Sequence, residues 1–355
     1  MNWHTEPAAP VLRLAERVLR VSALAFAGLV VAASCGQPDA DRPRTPTPEA
    51  ATPLPTPSEA NPFGVMLPST LVRSGRGLEV ARALGARYLR PASVFAEEWD
   101  GTCPECEAAR AAGFELVLTV RNEGPGPTTP PGDLDAYERT VRDIVRTLRP
   151  ALLVVENEEN SSLFYAGSPE AYAEQLRAAC RAAHEEGVPC TNGGLVSSLV
   201  ALLVYEALKE GGGAAEAEDF ARRALGDQVR GRLDSPEARV QLAKGKQLLA
   251  SYRAAGADFV NFHWYIADAK ALRQAVDYLE RVSGLPAVTN EIGQVVDDPG
   301  VTMGLMEAVA EARLPVAVWF GLDGPRARGL VEPDGTLRPS GIAFQRFIAE
   351  RYRGR

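Results

Sequence analysis

One unit recurs from Pro62 to the end of this chain and restricts its fold more than any other feature: a helix-like stretch rich in Ala, Arg and Glu, a glycine, then a short apolar run. Ala83-Leu84-Gly85 precedes Ala86-Arg87-Tyr88-Leu89-Arg90, and Ala112-Gly113 precedes Phe114-Glu115-Leu116-Val117-Leu118-Thr119-Val120. Glu186-Gly187 stands before Val188, Gly256 before Asp258-Phe259-Val260-Asn261-Phe262, and Gly284 before Leu285-Pro286-Ala287-Val288-Thr289. A glycine just past a helix takes the left-handed conformation that ends it. An uninterrupted apolar run suits a parallel strand covered on both faces. Residues 63–67, 152–155 and 316–319 occupy equivalent places, which brings the strands to eight, with helices between them. Eight such units close into a (β/α)8 barrel. A doubly wound open sheet is the alternative, but Phe63-Gly64-Val65-Met66-Leu67 runs straight into Pro68 without a glycine-rich turn.

The interval between the fifth and sixth strands is too long for one helix. It runs from Leu199 to Ala255 through Gly211-Gly212-Gly213, so a helical insertion is expected over 199–247. A content of 46% hydrophobic and 24% charged residues is enough to build a sizeable core. The net charge of −8, with no basic stretch interleaved with aromatics, argues against a nucleic-acid partner.

Ahead of the repeated units, Arg13, Arg17 and Arg20 precede an apolar run over 21–33, shorter than the roughly 20 residues that span a membrane. The run ends in Ala32-Ala33-Ser34-Cys35-Gly36, which is similar to the lipobox of bacterial lipoproteins. Residues 1–35 thus read as an export signal with Cys35 as the lipidation site; plain cleavage and a retained anchor are the other outcomes. Residues 36–60, rich in Pro and Thr, read as an extended spacer with little to bury, carrying a domain over 61–355. The expected location is outside the cytoplasm, with membrane contact only through the anchor or signal segment, and the expected state is a monomer. Setting Cys35 aside leaves Cys103, Cys106, Cys180 and Cys190, an even number suited to disulfides in an oxidising compartment. Cys103 with Cys106 and Cys180 with Cys190 are the available pairs. A zinc half-site would need further ligands, and only His184 and His263 lie in the folded region. No metal and no cofactor is expected.

In a barrel of this kind reactive groups sit at the carboxyl ends of the strands. The second strand ends at Arg90-Pro91, the third at Arg121-Asn122-Glu123, the fourth at Glu156-Asn157-Glu158-Glu159 and the fifth at Thr191-Asn192-Gly193-Gly194. The sixth ends at His263-Trp264-Tyr265, the seventh at Asn290-Glu291 and the eighth at Trp319-Phe320. Carboxylates on strands four and seven face each other across the mouth, as a retaining glycoside hydrolase requires of its acid/base and its nucleophile. Here the chain resembles the clan A (4/7) superfamily of (β/α)8 retaining glycoside hydrolases, marked by Asn-Glu ending strand four and Glu ending strand seven. The resemblance implies Glu158 as general acid/base, Glu291 as nucleophile and Asn157 as donor to the sugar hydroxyl beside the anomeric carbon. It also implies Arg90 as support for the nucleophile, His263 or Tyr265 as the sixth-strand polar aromatic, Trp319 as the platform beneath the sugar and a β-linked carbohydrate as substrate.

The usual proline after the strand-four glutamate is Glu159 here, so Glu156 and Glu159 stand beside Glu158 as alternative acids. The dipeptide alone says little, since Asn-Glu occurs three times; ordinal strand position carries the signal. Bland readings stand beside the sharp ones. His263 could be a satisfied core histidine, Trp319 core filling, Arg90 half of a surface ion pair, and Asn192 with Gly193-Gly194 either a close backbone approach for a ligand or a tight turn. The competing function is a non-catalytic carbohydrate-binding lipoprotein on the same barrel. A metal-dependent barrel enzyme is disfavoured by the missing histidine cluster.

Overall fold

The computed structural model describes residues 60–124, 126–321 and 327–352. The expected signal segment, the lipidation site Cys35 and the spacer up to residue 59 lie outside them. No helix among the described residues is long and apolar enough to cross a membrane.

Eight parallel strands form a nearly closed barrel: β1 Phe63–Met66, β2 Tyr88–Leu89, β3 Glu115–Arg121, β4 Leu152–Val155, β5 Cys190–Asn192, β6 Val260–Trp264, β7 Ala287–Ile292 and β8 Ala317–Phe320. Each lies at or within a few residues of the run the sequence marked. The ladder is continuous from β5 through β4, β3, β2, β1, β8 and β7 to β6, with β1 lying on β8 over Phe63↔Ala317 to Met66↔Phe320. A two-residue strand, Val94–Phe95, adds to the far end of β3.

Local chemistry explains the helices between. Gly85 and Gly284 end their helices in the left-handed conformation, at φ 77° and 68°. Ser168, Ser235 and Asp298 accept hydrogen bonds from first-turn amides of helices that open on proline, where a missing N–H costs nothing. Four helices fill the described interval between β5 and β6: Ser197–Glu210, Ala214–Ala224, Asp227–Arg230 and Pro236–Tyr252.

Strand alternation sorts the barrel side chains into two layers. Tyr88, Val117, Leu152, Val154, Val288, Val316 and Val318 pack with Phe259 inside the barrel. Phe63, Val65, Leu118 and Trp319 point outward into the larger core shared with the helices. Between β5 and β6 the described backbone pairing is limited to the isolated bridges Thr191↔Phe259 and Leu195↔Phe262. There, side-chain amides stand in for the ladder: Asn192 Nδ2 donates to Asn261 O at 2.9 Å, while Asn261 N donates to Asn192 Oδ1 at 2.6 Å and Asn261 Nδ2 to Asn192 O at 2.9 Å. Disulfides join Cys103 to Cys106 and Cys180 to Cys190, the latter tying the helix Pro169–Glu185 to β5.

Candidate functional site at the carboxyl ends of the strands

β7 brings two consecutive polar side chains to the barrel mouth. Between the pairs Asn261↔Val288 and His263↔Glu291 it advances three residues while β6 advances two. Such a bulge breaks the alternation, so Glu291 reaches the inner face along with Asn290. Glu291 is then held from two sides. Arg90, the residue after β2, donates from Nη1 to Glu291 Oε2 at 2.6 Å, and the Tyr265 hydroxyl donates to Glu291 Oε1 at 2.9 Å. Arg90 also donates from Nη2 to Asn157 Oδ1 at 3.0 Å, which leaves the Asn157 amide N–H groups to donate elsewhere.

Opposite lies Glu158. Its Oε1 is 3.0 Å from His263 Nδ1, which is itself 3.5 Å from Glu291 Oε1. One carboxylate oxygen of Glu158, one of Glu291 and a ring nitrogen of His263 all lie within 4.8 Å of one another. Asn290 Oδ1 accepts from Asn261 Nδ2 at 2.8 Å and faces His263 Nε2 at 3.1 Å, so Nε2 donates to it. In the charged imidazole Nδ1 carries a proton as well, facing Glu158 Oε1. Gly194 makes room for the ring, since a Cβ there would sit 2.4 Å from Nε2.

The charges follow from these contacts. Burial alone would raise the Glu291 pKa, but the positive charges of His263 and Arg90, with the hydrogen bonds from Arg90 and Tyr265, outweigh it and hold the carboxyl below the usual range. Burial likewise works to lower the His263 pKa, and the negative charges of Glu291 and Glu158 overcome it, leaving the imidazole raised. Burial, reinforced by Glu291, drives the Tyr265 phenol far up, so it remains an O–H donor. Glu158, His263 and Glu291 have the composition of a cation site. Yet both oxygens of Glu291 already face donors, one of them a guanidinium, and that opposes a metal in the same place.

The structure thus brings together Arg90, Asn157, Glu158, His263, Tyr265 and Glu291; both sixth-strand candidates touch the pair. It does not bring Asn192 or Trp319. The Asn192 amide is consumed by Glu159 and Asn261 inside the wall. Trp319 is fully buried on the outer face of β8, donates from Nε1 to Gln294 Oε1 at 2.9 Å and packs edge-on to Phe344 with ring centres 5.5 Å apart. The next residue, Phe320, follows the inward register of Val318 and meets Tyr265 edge-on at 5.9 Å. The period-2 alternation of a strand was the signal that separates the two.

The flanking glutamates point elsewhere. Glu156 accepts from Asn122 N, Thr128 Oγ1 and Gln175 Nε2, each at 2.7 Å. Glu159 accepts from Asn192 Nδ2 at 2.8 Å and from the Tyr252 hydroxyl. Glu158 is the member of this acidic run that faces Glu291, with 17% of its side chain exposed.

No protein-family model matches the chain, and no curated protein matches it in sequence. Among solved structures, a glucosidase from Croceicoccus marinus superposes with a TM-score of 0.53 at 14% identity, over 81% of this chain and 65% of that one, so the chain spans less than two thirds of that enzyme. An intracellular xylanase from Thermoanaerobacterium saccharolyticum gives a TM-score of 0.49 at 10% identity, covering 80% and 94% of the two chains. An exo-β-1,3-glucanase from Aureobasidium namibiae gives 0.48 at 12%, covering 79% and 94%. At these identities the likeness is one of fold. These neighbours are glycoside hydrolases, and the parallel barrel is the architecture that the resemblance to clan A implied.

Proposed function

We propose that this protein is a retaining glycosidase acting on a β-linked glycan or oligosaccharide. Glu291 attacks the anomeric carbon to form a glycosyl-enzyme, while Glu158 protonates the departing oxygen. Glu158 then removes a proton from the water that releases the sugar, so each group returns to its starting state. The observation that supports this best is the spacing of the pair together with the contacts that keep Glu291 ionised. Oxygens of Glu158 and Glu291 approach within 4.8 Å, near the roughly 5–5.5 Å separation of retaining carboxyl groups. Glu291 is kept ionised by Arg90 and Tyr265, as a nucleophile must be, and Glu158 has a histidine partner through which a proton can be exchanged. Asn157, oriented by Arg90, is placed to donate to a sugar hydroxyl. In the same reading the protein is exported and held outside the cytoplasm by a lipid on Cys35.

A panel of aryl β-glycosides and β-glycans tests the activity. Glu291→Gln should abolish release while sugar binding persists, and the sugar first released from the unaltered protein should be the β-anomer. An α-anomer as first product would replace retention by inversion. Binding without release from any substrate would leave a carbohydrate-binding protein.

A further inference from the structure

The turn after β4 carries two non-glycine residues in left-handed backbone, Glu156 at φ 67° and Glu158 at φ 46°. L-residues are strained there and stay only where the surroundings over-determine them. Both residues that turn into the site from this segment, Asn157 and Glu158, depend on that strained path.

Two buried carboxyl groups bracket the turn, and neither reaches Glu291. Glu156 ties the near side to Asn122, Thr128 and Gln175. Glu159 ties the far side, where its resemblance family places a proline that could make no such tie. Its Oε1 accepts from Asn192 on β5 and from Tyr252, the last residue of the helix Pro236–Tyr252 in the long β5–β6 connection. Tyr252 is itself buried, edge-on to Tyr172 with ring centres 6.4 Å apart. Tyr172 in turn donates to Val155 O at 2.9 Å, the residue that ends β4. The connection's final helix therefore reaches the far side of the strained turn by a buried hydrogen bond from Tyr252, and the near side through the ring contact of Tyr252 with Tyr172, whose hydroxyl holds Val155 O.

We propose that Glu159 is a positioning residue for Glu158: through Asn192 and Tyr252 it locks the strained turn, so that the helix Pro236–Tyr252 sets the aim of the acid/base. This rests on the glycosidase reading above. With the lock removed, the turn relaxes and the Glu158 carboxyl leaves His263, while Glu291 keeps Arg90 and Tyr265. Proton delivery to the leaving oxygen is then impaired and nucleophilic attack is not.

That separation supplies the test. A 2,4-dinitrophenyl leaving group departs without a proton, whereas a methyl leaving group needs one. Glu159→Leu, which removes the acceptor, and Tyr252→Phe are each assayed on methyl and dinitrophenyl β-glycosides of the sugar that the unaltered protein accepts. Misplacing a general acid by a fraction of an ångström to an ångström costs on the order of 10- to 100-fold. Both variants should lose that much in kcat/KM on the methyl glycoside and stay within about 3-fold on the dinitrophenyl glycoside. Tyr252→Phe removes a single hydroxyl, so it keeps the test open if Glu159→Leu fails to fold. Equal losses on both substrates, or no loss on either, overturn the proposal while leaving the glycosidase reading intact. An unaltered protein that turns over neither substrate overturns both.

Discussion

As the nucleophile of the proposed reaction, Glu291 is buried and yet has to carry a charge, and two cations reconcile these demands. His263→Phe removes one of them and keeps the burial, so the Glu291 pKa must rise. The acid limb of the kcat/KM profile reports the ionisation of the nucleophile in the free enzyme. It should therefore move to higher pH, by about one unit or more if the lost interaction exceeds about 1.4 kcal/mol. An unmoved limb would mean that His263 does not charge the site. Arg90→Met strips the ion pair and leaves the carboxylate buried, a loss of about 3–5 kcal/mol. The sign with pH is fixed by the depressed pKa. The Arg90 contribution is present above the unfolded carboxylate range and is lost as pH falls through the lower folded value. The Tm gap between Arg90→Met and the unaltered protein should be wide at pH 7 and narrow as pH falls below the usual carboxylate range; a constant gap would count against the assignment. The aromatic at the end of β8 shows where reading by residue type fails. A tryptophan is the attractive platform, but alternation sends Trp319 outward and Phe320 inward, so in the proposed glycosidase the ring facing the sugar is the smaller one. Phe320→Ala should raise KM with little change in Tm. Trp319→Ala should instead cost about 3–5 kcal/mol of stability.

Strands show which parts of the design were legible at the next scale. Eight apolar runs, five of them after a glycine, were enough to place the strands, because a parallel strand covered on both faces has no polar alternation to hide it. The β7 bulge had no such mark. It arises from a mismatch of one residue between neighbouring strands, which no single segment records. The β5–β6 seam was also hidden, since Asn192 reads as a ligand-binding residue at a strand end when its actual partner is 69 residues away. Asn261→Leu, nearly the same size, tests the seam. It removes the side-chain bonds to Asn192 O, Asn290 Oδ1 and Asn290 N and strands their partners in a dry interior, at a cost of about 1–3 kcal/mol for each group left unpaired. A total near 3–4 kcal/mol would lower Tm by roughly 10 °C for a domain of this size. A thermal melt unchanged within a degree or two would show that the seam does not depend on the Asn261 side chain.

At the scale of the whole molecule, a signal-like N-terminus and two disulfides bear on one question, the compartment. The Cys180–Cys190 bond closes a short loop between neighbours already packed, and the chain-entropy account gives it about 3 kcal/mol. Both its cysteines are buried, so it forms during folding and needs an oxidant at that moment. Thiols in a reducing cytosol would stay free. An exported chain should therefore arrive with both bonds made, and the same chain retained inside should fold with free thiols and melt several degrees lower. The N-terminal reading makes the matching claim about the other end of the journey. If Cys35 is acylated, labelled palmitate should be incorporated by the full-length chain expressed in a bacterial host. Cys35→Ser should lose the label and shift the protein from the membrane fraction to the soluble extracytoplasmic fraction with its disulfides intact. Label retained in Cys35→Ser would move the anchor elsewhere. A variant that stays in the membrane unlabelled would mean that the apolar run over 21–33 is itself the anchor.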